Sequence, residues 1–252
     1  MKLIVNADDF GYTESVSAGI LRGHRDGIVT ATTFMTNAPN TDGAAKLARV
    51  TPSLDVGVHL VVSFGRPLSD AARVPSLVDP VGRFFRPKEL LSRDIDRDEA
   101  LTEYRAQYAK ARQLLGRDPT HVDTHHWVHD HPALEWAIGE LARQTGAAAR
   151  IHSDEQRERL RARGVRTPDH FAREFQHEEK VGVEQLVELL ERLAKGDEVT
   201  ELMCHPGETD EAMAKKSGYA RERPTELATL TDPRVRAAVT DLGIILATFA
   251  DV

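Results

Sequence analysis

Two rhythms alternate along this chain of 252 residues: short apolar runs, and longer stretches in which apolar residues recur every three or four positions. Residues 3–5, 29–33 and 56–59 read as strands, with helices over about 14–25 and 42–49 between them. The clearest helix spans about 97–115, where Leu101, Tyr104, Tyr108, Ala111 and Leu115 share one face and Gly116 supplies the stop. Its tyrosines are expected in the core. Leu134, Ala137, Ile138 and Leu141 mark another helix, as do Leu186, Leu189, Leu190 and Leu193, which leads into a strand over 201–204. A last strand is expected at 244–248. Strands that alternate with helices give a parallel sheet of α/β class, and this length suits a single domain over residues 1–252, a (β/α) barrel.

Two stretches break the alternation. Residues 61–88 carry four prolines, and residues 152–182 are densely charged; long irregular segments of this kind often form lids or substrate loops. The charges over 154–166 are expected to be a solvated helix face. No internal repeat is evident.

Composition narrows the function. A formal charge of -7 and a pI near 5.9 argue against a nucleic-acid surface and favour a small or neutral substrate. Neither a leader-like N-terminus nor a run of about eighteen apolar residues is present, so a cytoplasmic protein without membrane contact is expected. The single cysteine, Cys204, excludes an internal disulfide and is expected to be buried.

The candidate chemistry lies at strand ends, where a barrel places its active site. The first apolar run ends in Asp8-Asp9, another in His59, a third segment in Asp123-Thr-His125, and the run before His205 in that histidine. Five of eleven histidines fall between His121 and His131. His125 directly follows its strand and faces the mouth, whereas His121 lies at the other end and His129 and His131 fall farther into the loop. Some subset of Asp8, Asp9, His59 and His125 is expected to bind a metal, with one carboxylate and two imidazoles leaving positions open for water and substrate. Capping does not explain the aspartates, since Thr13 is the better start signal for the next helix. The spare carboxylate can take a proton from water, and His205 can give one to a departing amine. The chemistry this implies is metal-assisted hydrolysis of an amide or ester.

These residues, in this order, resemble the YdjC-like carbohydrate deacetylases. The resemblance rests on Asn6-Ala-Asp8-Asp9-Phe-Gly11, Gly27-Ile-Val-Thr30, Gly57-Val-His59, Pro119-Thr-His121-Val-Asp123-Thr-His125-His126, Met203-Cys-His205-Pro206 and Thr225-Glu-Leu227. It implies an irregular, TIM-barrel-like (β/α) fold that removes N-acetyl groups from N-acetylglucosamine-containing oligosaccharides. In that scheme Asp9, His59 and His125 hold one divalent ion, Asp8 is the general base and His205 the general acid. The exchange of Asp8 and Asp9 stays open. So does the metal: two imidazoles favour zinc, while the resemblance points to magnesium. Asp123 is expected to orient a histidine or contact sugar, and Tyr219 and Arg223 to reach over the mouth towards sugar or phosphate, or Arg223 to pair with Glu226. Trp127 stands where the family often has histidine, and its indole can stack on a sugar face or simply pack the loop. A homodimer is the expected assembly on the same grounds. The competing readings are a hydrolase of another small amide and a sugar- or metal-binding protein without turnover.

Overall fold

The computed structural model describes residues 1–208, 211–214 and 217–252. Its elements run in the order β1 (Lys2–Phe10), α1 (Glu14–Asp26), β2 (Ala31–Phe34), α2 (Thr41–Val50), β3 (Asp55–Leu60), α3 (Pro87–Leu90), α4 (Arg97–Leu115), β4 (His121–Thr124), α5 (Pro132–Thr145), β5 (Ala148–Ala149), α6 (Asp154–Ala162), β6 (His170–Ala172), α7 (Val183–Leu193), β7 (Val199–Cys204), α8 (Glu211–Ala214), α9 (Glu222–Leu230), α10 (Pro233–Asp241) and β8 (Ile245–Leu246). The sheet order is β5-β4-β3-β2-β1-β7-β6, with β8 paired to the start of β1, and every ladder between these strands is parallel. The sheet curls into an irregular half-barrel with β5 and β6 at its two edges. Among the described residues no helix is long and apolar enough to cross a membrane.

Local sequence accounts for most of these elements. Thr13 caps α1 by accepting the Val16 N–H, a contact worth about 1 kcal/mol. On α4 the Gly116 cap sits at φ 70°, in the left-handed region that glycine enters freely, and Tyr104 and Tyr108 are buried as their spacing predicts. On α7, Leu186, Leu189 and Leu190 form the buried stripe against the barrel.

Residues 61–88 are less loose than their prolines suggest. A row of side chains one helical turn apart on α4 holds them: Glu99 accepts from Ser76 N–H, Glu103 from Leu68 and Ser69 N–H, and Gln107 bonds both backbone groups of Val61. Within 152–182 the charged segment forms α6, and β6 adds a strand that its sequence did not announce. Residues 244–248 are a strand only at Ile245–Leu246; the chain then turns under the barrel, where Phe249 stacks on His121 with ring centroids 3.6 Å apart.

Candidate functional site

Asp8 and Asp9 lie inside β1, which is nine residues long rather than three. Neighbouring residues of a regular strand point to opposite faces. Here the register of β1 against β2 shifts between Ala7 and Phe10, and Asp9 takes φ 74°, so both carboxylates reach the barrel interior. A non-glycine residue in that conformation costs on the order of 1–3 kcal/mol, a strain that tends to concentrate at functional sites. His126 and Trp127 share it, at φ 65° and 60° in the turn after β4.

Three atoms converge at the rim. Asp9 Oδ1 lies 3.3 Å from His59 Nε2 and 3.1 Å from His125 Nδ1, and the two nitrogens are 3.2 Å apart. The carboxylate oxygen nevertheless has no well-aligned hydrogen-bond donor. His59 is already oriented from behind: its Nδ1–H donates to Asp123 Oδ1 at 2.7 Å, which leaves Nε2 facing the other two atoms. Two imidazole nitrogens and an anionic oxygen about 3.1–3.3 Å apart match the spacing of ligands around a divalent ion with bonds of about 2.1 Å. The donor set therefore fits a metal, though it does not distinguish zinc from magnesium. Burial opposes ionisation of Asp9, but Arg223, which bonds Asp9 Oδ2, and the two histidines outweigh it and hold its pKa well below the carboxylate range. For His59 burial also opposes charge, and Asp123 overcomes it, raising the imidazole to about 10 while no cation competes.

A second grouping, Asp8, His59 and Asp123, also brings ligand-type atoms together, but its cation is already present as a side chain. Arg150, just past β5, reaches across the barrel to Asp8 with two bonds of 2.7 Å, to Asp123 at 2.8 Å and to Glu201 on β7 at 2.7 Å. Asn6 adds a bond of 3.0 Å to Asp8. Burial pushes Asp8 up, yet Arg150 brings it down to about 2; burial raises Glu201 to about 7 against the same guanidinium.

His205 Nε2 approaches Asp8 Oδ2 to 3.9 Å from the end of β7. Burial lowers its pKa to about 4, so the ring is neutral in the resting site. Its backbone N–H donates to Glu226, and the same carboxylate accepts from the Tyr219 hydroxyl. Tyr219 packs against the His205 ring.

All the residues singled out from sequence line one cleft of about 130 Å³, with the exception of Asp123. That side chain is fully buried, and its oxygens are taken up by Thr33, His59 and Arg150, so it offers no surface to a sugar. Arg223 pairs with Asp9 and the Tyr219 carbonyl instead of Glu226. Trp127, half-buried, lies beside His152 and Phe171. Larger hollows exist, one of about 820 Å³ beside Phe64 and Arg83, but the convergent ligand atoms found among the described residues lie in this cleft. Sequence reading missed Arg150, Glu201 and the supporting roles of Asn6, Thr33 and Glu226. The signals were present but small: an arginine closing the short run Ala147-Ala148-Ala149, and an acid inside an apolar strand.

Comparison with known proteins gives concordant matches. The family described as YdjC-like protein matches residues 2–241. A carbohydrate deacetylase of Brevibacillus brevis is 38% identical, over 100% of this chain and 99% of its own. A chitooligosaccharide deacetylase of Yersinia pestis is 36% identical, over 99% and 98%. A solved structure from Enterococcus faecalis, described as a candidate cellobiose-phosphate cleavage protein, superposes with a TM-score of 0.92 at 34% identity, over 99% and 98% of the two chains. A family 4 carbohydrate esterase of Streptomyces lividans, solved with acetate, shares the fold at a TM-score of 0.57 and 11% identity, over 98% and 92%.

Proposed function

This chain belongs to the YdjC-like family and is by that kinship a carbohydrate deacetylase, and we propose that it removes N-acetyl groups from short N-acetylglucosamine oligosaccharides, releasing acetate and a free amine. The observation that carries the reading is the convergence of Asp9 Oδ1, His59 Nε2 and His125 Nδ1 beside a second carboxylate that is not part of the trio. Asp9, His59 and His125 would hold the metal, which when bound supplies a Lewis acid that polarises the amide carbonyl and acidifies water. Asp8 is the proton acceptor. Arg150 and Asn6 fix its orientation, and Arg150 holds its pKa low against burial. The neutral His205 ring, 3.9 Å from Asp8, is placed to receive the proton that Asp8 takes from water and to deliver it to the leaving amine nitrogen. Glu226 holds the His205 backbone in place for that delivery, and Arg223 steadies Asp9. Trp127 and Tyr219 form walls that a sugar ring would meet.

Acetate release from short N-acetylglucosamine oligosaccharides by metal-loaded protein, with a chelated sample alongside, tests the reading. Chelator-sensitive release is expected. Absence of release from metal-loaded protein would move the activity to another amide.

A further inference from the structure

His121 lies outside the cleft, at the start of β4, where it is fully buried in a close-fitting slot. Phe249, also fully buried, stacks on its ring with centroids 3.6 Å and planes 9° apart. Gly57 of β3 makes room for the same ring, since a Cβ there would lie 2.6 Å from its Cδ2 and Nε2. Phenylalanine or leucine would fill such a slot without the cost of burying a polar ring, so what the imidazole adds is its two nitrogens.

Both nitrogens have partners. Nδ1 lies 2.9 Å from the Thr120 hydroxyl, and Nε2 lies 3.1 Å from Asn6 Oδ1. Asn6, fully buried and two residues before Asp8 on β1, gives its Nδ2–H to Asp8 Oδ1 at 3.0 Å. An ionised carboxylate only accepts, so this contact requires the nitrogen of Asn6 towards Asp8 and its oxygen towards His121, which must then present an N–H. Burial, with Arg150 adding to it, holds the His121 pKa well below the ordinary imidazole value, so the ring is neutral and its one proton sits on Nε2. A carboxamide is nearly symmetric in shape, and half a turn would set the Asn6 oxygen against the carboxylate; the His121 N–H excludes that state. Granting the deacetylase reading, we infer that His121 is a positioning residue for the reaction: held by Phe249 and Gly57, it fixes the Asn6 amide, and Asn6 holds the proton acceptor Asp8 in place for water.

A double-mutant cycle on turnover separates this from a packing role. His121→Phe keeps a flat ring and removes both nitrogens; metal-loaded, it should retain its metal content and KM and lose about 10–100-fold in kcat, the worth of a hydrogen bond to a charged group. His121→Gln, whose amide nitrogen can stand in for Nε2, should recover most of that loss. In an Asn6→Ala background His121→Phe should cost nothing further, because its effect passes through Asn6. Equal losses with and without Asn6, or no loss in His121→Phe, overturn the inference. The tautomer is read without substrate, by NMR of isotope-labelled imidazole nitrogens, the His121 signals being assigned by their absence in His121→Gln. A proton on Nε2 and none on Nδ1 is expected, and the reverse overturns the inference. Absence of acetate from unaltered metal-loaded protein sinks the deacetylase reading, and the tautomer still decides whether His121 orients Asn6.

Discussion

The rim and the floor of the cleft are built from the same materials and solve opposite problems. On the floor, Asp8, Asp123 and Glu201 surround Arg150, so the chain itself supplies the positive charge that three buried carboxylates require. At the rim, Asp9 and two imidazoles turn an oxygen and two ring nitrogens towards one point that no arginine or lysine enters, and Arg223 takes only the far oxygen of Asp9. Adjacent residues of one strand thus enter different electrostatic environments, because a bulge turns the second of them. The difference supports the division of roles proposed above. A carboxylate clamped twice by a guanidinium is held as an oriented anion, whereas one whose oxygen has no hydrogen-bond donor is arranged for a ligand from outside.

Removing the internal cation should give the largest effect. Arg150→Met leaves three carboxylates buried without their partner, and breaking such a network typically costs about 3–5 kcal/mol, enough to unfold a marginal domain. Chemical denaturation of this variant and of chelated unaltered protein makes the contrast direct: the variant should lose most of its stability, and the chelated protein should stay folded. If chelation destabilised the fold as severely as Arg150→Met, the division between a self-sufficient floor and a metal-dependent rim would be wrong.

Next in size is the functional split between the two aspartates. Asp8→Asn should retain about the metal content of the unaltered protein and lose at least about a hundredfold in turnover, the scale of a positioned proton acceptor. Asp9→Asn, His59→Ala and His125→Ala should instead lower bound metal, which elemental analysis reads. Metal loss in Asp8→Asn equal to that in Asp9→Asn would reverse the assignment.

A smaller effect is expected one layer behind the rim. Asp123 fixes the tautomer of His59, so Asp123→Asn should weaken metal binding about 10–100-fold without removing a ligand atom. Competition with a chromogenic chelator would measure it, and an unchanged affinity would leave Asp123 as a partner of Arg150 only.

What the sequence made legible follows the same division. Asp8, Asp9, His59, His125 and His205 were readable because each ends a recognisable strand, and a residue's place along a strand is a local property. Arg150 was not, because β5 is two residues long and gives no periodic signal, and because a lone arginine after three alanines acquires its meaning only from carboxylates contributed by β1, β4 and β7. The bulge was equally hidden. Nothing in Ala7-Asp8-Asp9-Phe10 distinguishes a strand that ends at Val5 from one that continues and turns Asp9 inward, so the aspartates were expected in a loop. Helix α4 was readable end to end, yet the use of its Glu99, Glu103 and Gln107 to hold residues 61–76 depends on a loop packing against the helix face, which periodicity cannot encode.

The finest test of the contrast is a proton count. With no cation present, Asp123 and the other nearby carboxylates outweigh burial and raise His59 to about 10, so near neutral pH its Nε2 carries a proton at the point where a metal would bind. Nδ1–H stays committed to Asp123. A cation can bind only the deprotonated Nε2, so uptake at any pH below about 10 must expel that proton, and affinity should rise by about tenfold per pH unit through the neutral range. The sign is fixed: acid favours the proton, base favours the metal. Titrating the metal calorimetrically in two buffers of different ionisation enthalpy should give close to one proton released per ion bound. Asp123→Asn should lower that number, since His59 would then lose its main reason to be protonated. The floor permits no such exchange, because its cation is covalently part of the chain, and a release near zero in the unaltered protein would mean that the ion does not bind through His59.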